Sequence, residues 1–169
     1  MAFADYNRAV ELNPRFPEAL NDRANIYLHR KQFDPALADY NKTIEINPKI
    51  AEIFLNRGGF YFATKQYDLA IADCSKAQEL SPNDARVFEG RSLAYEQKGD
   101  GTQALADFAK AIELNPKNGE THWNRAQLYY NEKQYNKDLV DVQKAQELGY
   151  PVDPAAVNDL RRKAGETRR

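Results

Sequence analysis

The chain has 169 residues and a formal net charge of −1. Hydrophobic residues make up 42% and charged residues 29%, the composition of a globular protein, which excludes extensive disorder. The near-neutral balance argues against a nucleic-acid partner, and no run approaches the roughly 18 uninterrupted apolar residues of a membrane helix.

No basic-then-apolar segment opens the chain, so neither a signal peptide nor a membrane partner is expected, and the compartment stays open with the cytoplasm favoured. Cys74 is the single cysteine, so the fold does not depend on an internal disulfide.

Apolar and small residues at three- and four-residue spacing predict a helix over 2–12. Helix pairs then follow at 17–30 and 34–46, 51–64 and 68–80, 85–98 and 102–114, and 119–132 and 136–148. Pro151 and Pro154 precede a short capping helix near 154–164. Arg161, Arg162, Lys163, Arg168 and Arg169 form a basic end, expected to be solvated and frayed. No period-2 run of strand length occurs.

The helix pairs are repeats. Pro14, Pro48, Pro82 and Pro116 are spaced by 34 residues, each after a Glu-Leu-Asn, Glu-Ile-Asn or Glu-Leu-Ser triplet. Tyr27, Tyr61, Tyr95 and Tyr129 keep the same period, as do the small residues Ala24, Gly58, Ser92 and Ala126. Ala2, Ala36, Ala70 and Ala104 form another column, which breaks at Asp138. Small residues in facing columns let paired helices approach closely, and proline ends each second helix because it cannot continue one. Phe33, Tyr67 and Tyr135 share a column at the turn inside each pair. The third repeat has Gly101 there, and that turn is expected to be the most mobile.

These columns resemble the tetratricopeptide-repeat (TPR) family, whose pattern is Trp-x2-Leu-Gly-x2-Tyr, then Ala-x3-Phe, then Pro. The second repeat reads Phe54, Arg57, Gly58, Tyr61, Ala70, Cys74, Pro82, and the third reads Phe88, Arg91, Ser92, Tyr95, Ala104, Phe108, Pro116. The first reads Leu20, Arg23, Ala24, Tyr27, Ala36, Tyr40, Pro48. The fourth fits at His122, Arg125, Ala126 and Tyr129 and departs at Asp138, Val142 and Tyr150. The resemblance implies an all-α, right-handed superhelical solenoid of about ten helices. Its parts are a second helix of an incomplete repeat at 1–16, repeats at 17–50, 51–84, 85–118 and 119–152, and a capping helix and basic tail at 153–169.

No catalytic set is present: His29 and His122 lack ligand-spaced partners, and no glycine-rich phosphate loop occurs, so no enzyme, metal or cofactor is expected. Cys74 shares a column with Tyr40 and Phe108 and reads as a buried small hydrophobe. Arg23, Arg57, Arg91 and Arg125 stand where the family pattern has leucine, and Asp5, Asp39, Asp73, Asp107 and Asp141 fill a second-helix column. An internal Arg–Asp ladder is the expected use of both. Arg8–Glu11, Lys42–Glu45, Lys76–Glu79, Lys110–Glu113 and Lys144–Glu147 read as solvated i,i+3 pairs.

By resemblance, the first helices line the concave surface and bind protein or peptide. Some TPR domains grip a C-terminal carboxylate; Asn25 and Asn56 fit that set, whereas Glu120, Glu89 and Asn21 stand where basic partners are needed. Asn56 and Asn124 resemble the asparagine ladder of TPR proteins that bind extended backbones, interrupted at Asp22 and Gly90. Stepping along the first helices places Asn21, Asn25, Leu28, Leu55, Phe62, Arg86, Glu89, Leu93, Glu96, Trp123, Gln127 and Tyr130 on the groove face. Trp123 and Tyr130 form an outward aromatic stripe, with Leu55 and Phe62 in the same columns two repeats earlier. Glu18, Glu52, Glu89, Glu96 and Glu120 against Arg86 suggest a basic partner with apolar anchors. The alternative is a homo-oligomer joined through the N-terminal half-repeat, where Phe3, Tyr6 and Val10 lose cover.

Overall fold

The computed structural model describes residues 3–165. Ala2, Arg168 and Arg169 of the columns and basic end lie outside them. Ten α-helices and no strand are found among the described residues, in two compact units, Met1–Asn83 and Asp84–Arg169.

The first unit holds α1 (Phe3–Leu12), α2 (Pro17–His29), α3 (Phe33–Ile46), α4 (Ala51–Ala63) and α5 (Tyr67–Leu80). The second holds α6 (Ala85–Gln97), α7 (Gly101–Leu114), α8 (Gly119–Asn131), α9 (Tyr135–Glu147) and α10 (Pro154–Lys163). The small columns are buried in these pairs: Ala24 and Ala36 share one core cluster, Gly58 lies against Ala70, and Ser92 and Ala104 are both fully buried. At Gly58 the approach is close: a Cβ there would lie 3.2 Å from Cys74 Sγ. Cys74 itself is buried.

Each pair turns in three residues, and the turn demands a left-handed residue. Lys31, Lys65 and Lys133 adopt φ of 57°, 60° and 60°, and Gly99 takes the same place at 78°. The amide three residues past each first helix then reaches back to the tyrosine column, as in Gln66 N–H to the Tyr61 carbonyl at 2.8 Å. A side chain in this region is strained, whereas glycine is not. Lys65→Gly is therefore expected to stabilise the protein by about 0.5–1 kcal/mol, net of the entropy that glycine adds to the unfolded chain. A lower urea midpoint for that variant would contradict the reading.

The third turn replaces its missing aromatic ring in two ways. Asp100 caps α7, its side chain accepting from Gln103 N–H at 3.1 Å, whereas the equivalent Gln32, Gln66 and Gln134 make no side-chain cap. The Glu132 carboxylate occupies the space next to Gly101 where a Cβ would stand.

The arginine and aspartate columns pair in every repeat. Arg23, Arg57, Arg91 and Arg125 each clasp the aspartate 16 residues later with two parallel bonds, at 2.6–2.7 Å from Nε and 2.8 Å from the terminal nitrogen. All four aspartates are buried. The Arg57 guanidinium also lies 5.6 Å from the centre of the Tyr61 ring and donates to Asn41 at 2.6 Å. The Lys/Arg–Glu i,i+3 pairs form as expected on exposed second-helix surface, where such pairs contribute little.

Candidate functional site

The first-helix faces are taken unit by unit. In the first unit, much of the expected polar face bonds internally. Asn56 donates to Asn21 at 3.0 Å, tying α4 to α2, and Asn25 accepts from the buried Tyr40 hydroxyl at 2.5 Å. Leu28 packs against the core of Ala24, Ala36, Tyr40 and Phe60. Phe62 leans on Tyr67, with ring centres 5.7 Å apart. Leu55 is half-buried. Beside this face a shallow hollow of about 210 Å³ is lined by Glu18, Asn21, Asp22, Glu52 and Ile53, among others.

In the second unit three expectations change. Glu89 is not a free acidic contact, because its carboxylate accepts from the Thr121 hydroxyl at 2.6 Å and from Asn118 at 2.8 Å and so fastens the start of α8. Arg86 is exposed but pairs locally with the capping Asp84 at 2.7 Å. Trp123 and Tyr130 do not form an outward stripe. They are half-buried and pack on the core of Ala126, Leu139, Val142, Val157 and Leu160, which α10 completes. Trp123 stacks on Tyr150, with ring centres 6.2 Å apart. The Tyr130 hydroxyl donates to Asp159 at 3.2 Å. The physical reason is the cap: α10 buries Val157 and Leu160 and needs an apolar floor. Leu93 likewise packs on the Ala104, Phe108 and Leu128 core. Asn124 is half-buried and Gln127 exposed.

The basic end is also partly pinned. Lys163 pairs with Asp159 at 2.9 Å, donates to the Tyr130 hydroxyl, and lies 4.3 Å above the Tyr130 ring. The Tyr130 hydroxyl first, then Asp159, raises the Lys163 pKa. Arg161 and Arg162 are exposed, and Arg162 pairs with Asp159 at 2.5 Å.

The packing of α10 leaves a cavity of about 410 Å³, lined by Glu96, Trp123, Gln127, Tyr130, Asp138 and residues of α10. Of the five named residues, Glu96, Trp123, Gln127 and Tyr130 were expected on the groove face. Asp138 was not, although the break in the alanine column was its signal. It is 3% exposed, and its Oδ2 is buried without a hydrogen-bond partner among the described residues. Burial, then the nearby Asp141 charge, pushes its pKa from the usual carboxylate range up to about 7. Burial also raises the pKa of Glu96.

His122, in the column of Leu20, Phe54 and Phe88, is buried, with Nδ1 2.9 Å from Asp141 Oδ1 and Nε2 unpartnered. Among the described residues no group of three or more His, Cys, Asp or Glu is arranged to hold a metal, and no helix is long and apolar enough to cross a membrane.

Helix pairs of this kind define a class of helical-repeat proteins whose surfaces bind other proteins. The chain matches the tetratricopeptide repeat over residues 17–50 and 51–84 and the TPR repeat over 93–132. It is similar in structure to PilF of Pseudomonas aeruginosa, at 23% identity and a TM-score of 0.84, over 95% of this chain and 74% of that one. A thermophilic TPR protein of Thermus thermophilus aligns at 23% identity and a TM-score of 0.76, over 97% and 88%. YrrB, a TPR protein with an unusual peptide-binding site, aligns at 21% and 0.70, over 98% and 82%. At these identities the likeness concerns the fold. No curated protein matches the sequence. The chain belongs to the tetratricopeptide-repeat family, with the all-α solenoid fold class of that family, and is a protein-interaction scaffold.

Proposed function

We propose that the protein binds a peptide or protein segment on the first-helix faces of its repeats, and that α8 with its cavity is the main contact in the second unit. The observation that carries this reading is the cavity itself, a concave, partly aromatic site that Trp123, Gln127 and Tyr130 line from α8. In the first unit Leu55, Asn56 and Phe62 with Asn21, Asn25 and Leu28 supply the corresponding face. The repeat frame of 17–50, 51–84, 85–118 and 119–152 organises it.

The test is selection of peptides from a random library on the intact protein. Enriched peptides are expected to lose about tenfold in affinity with Gln127→Trp, which places bulk at an exposed lining position. They should be unaffected by Ala106→Arg on the exposed face of α7. Failure to enrich any peptide, or equal sensitivity to both variants, would overturn the proposal.

The second reading, self-association through the N-terminal half-repeat, is favoured by α1. No α1 residue is buried, and Leu12 and Phe16 are 71% and 39% exposed. One side of α1 does find a partner, since Phe3 meets Tyr27 edge-on at 5.3 Å and carries Arg30 above its ring. Sedimentation over a range of concentrations distinguishes the readings: a concentration-independent monomer removes the second.

A further inference from the structure

We infer that the cavity beneath α10 is a specificity pocket for an arginine side chain of the partner, with Asp138 and Glu96 receiving the guanidinium and Trp123 forming an aromatic wall. This inference rests on the peptide-binding role proposed above and names the side chain that enters the site.

The charges around the cavity are unbalanced in one direction. Asp159 at its rim is satisfied by Lys163 and Arg162. Asp138 and Glu96 are not: neither makes a side-chain hydrogen bond or ion pair among the described residues, and Asp138 Oδ2 is buried with no partner. A buried carboxylate oxygen without a donor is costly, and the chain retains one where three sister repeats place alanine. A donor-rich cation from outside would complete it.

Three features favour arginine. The volume of about 410 Å³ lies toward the lower end of the range of roughly 300–1,000 Å³ for small-ligand sites, which suits one long side chain. Two acceptors from different helices suit a planar fork with five N–H donors better than a point charge. Guanidinium also stacks favourably on aromatic walls, and the adjoining Tyr130 ring already carries a cation, Lys163.

Trp123 is the only tryptophan, so its fluorescence reports the cavity directly. The experiment titrates the intact protein with N-acetyl-arginine amide, N-acetyl-lysine amide and N-acetyl-citrulline amide. Citrulline keeps the shape of arginine and removes its charge. Arginine amide is expected to bind roughly tenfold or more tightly than citrulline amide and more tightly than lysine amide.

Asp138→Ala places the residue of the sister repeats at this position and keeps the fold. It is expected to abolish the preference for arginine over citrulline, and Glu96→Gln is expected to weaken it. Equal binding of arginine and citrulline amides, or an unchanged preference in Asp138→Ala, overturns the inference. Equal binding of lysine overturns the choice of guanidinium. Library peptides that still depend on Gln127 but not on Asp138 would leave the peptide-binding reading standing while this one falls.

Discussion

Arg57→Ala is expected to destabilise the protein by about 3 kcal/mol. Arg57 is 19% exposed and its partner Asp73 only 8%, so removing the guanidinium leaves a carboxylate inside the protein with its two bonds, at 2.7 and 2.8 Å, unmade. The Asn41 contact and the face of Tyr61 lose their cation as well. The penalty belongs mainly to the stranded charge and not to the attraction of the pair, because desolvating both ions offsets much of that attraction. The double variant Arg57→Leu with Asp73→Ala, which restores the leucine of the family pattern and removes the orphan, is therefore expected to fall within about 1 kcal/mol of the parent. Urea unfolding followed by circular dichroism checks both. Equal losses in the single and double variants would assign the cost to lost packing instead.

Asp138→Ala is expected to act in the opposite direction, stabilising the protein by on the order of 2–4 kcal/mol near pH 8. Asp138 stands in the column of Ala36, Ala70 and Ala104, 3% exposed, with one oxygen unpartnered. Among the described residues no cation compensates it: Asp141 is committed to Arg125 and His122, and Asp159 to Lys163 and Arg162. Burial holds its native pKa at about 7, above its ordinary value. Between those values the folded state binds the extra proton, so the parent loses stability as pH rises from about 4 and has lost the full amount once above about 7. The advantage of the alanine variant should grow across the same interval and be small near pH 4. A pH-independent difference, or a destabilised variant, would show that Asp138 is satisfied in solution. If the arginine pocket exists, this stabilised variant is also the one that loses it, a trade of function for stability.

The all-α class and the order of the helices were legible from local signals alone. Columns of Ala24, Gly58, Ser92 and Ala126, of the four tyrosines and of the four prolines recur with one period, and each has a backbone or packing reason that acts within a single helix pair. The arginine and aspartate columns announced a ladder for the same reason. Periodicity by itself left two partners for each arginine, one 18 residues before and one 16 after; folding chose the later one in all four repeats, because the two helices of a pair face each other directly.

The left-handed lysines were not legible, since a lysine column at Lys31, Lys65 and Lys133 looks like ordinary surface until the three-residue turn imposes its dihedral angles. The candidate site was read only in part. Stepping along α8 grouped Trp123, Gln127 and Tyr130, which line one cavity, but a helical step says which residues share a face and nothing about what covers it. That was decided by contacts with Tyr150, Val157, Asp159 and Leu160, well down the chain, which turned an outward stripe into the floor of a capping helix. The sequence determined the repeats, because they arise from local geometry repeated at a fixed interval. Tertiary structure alone decided where that regularity ends in a cavity, because α10 is not a repeat helix and its packing leaves Asp138 buried without a partner.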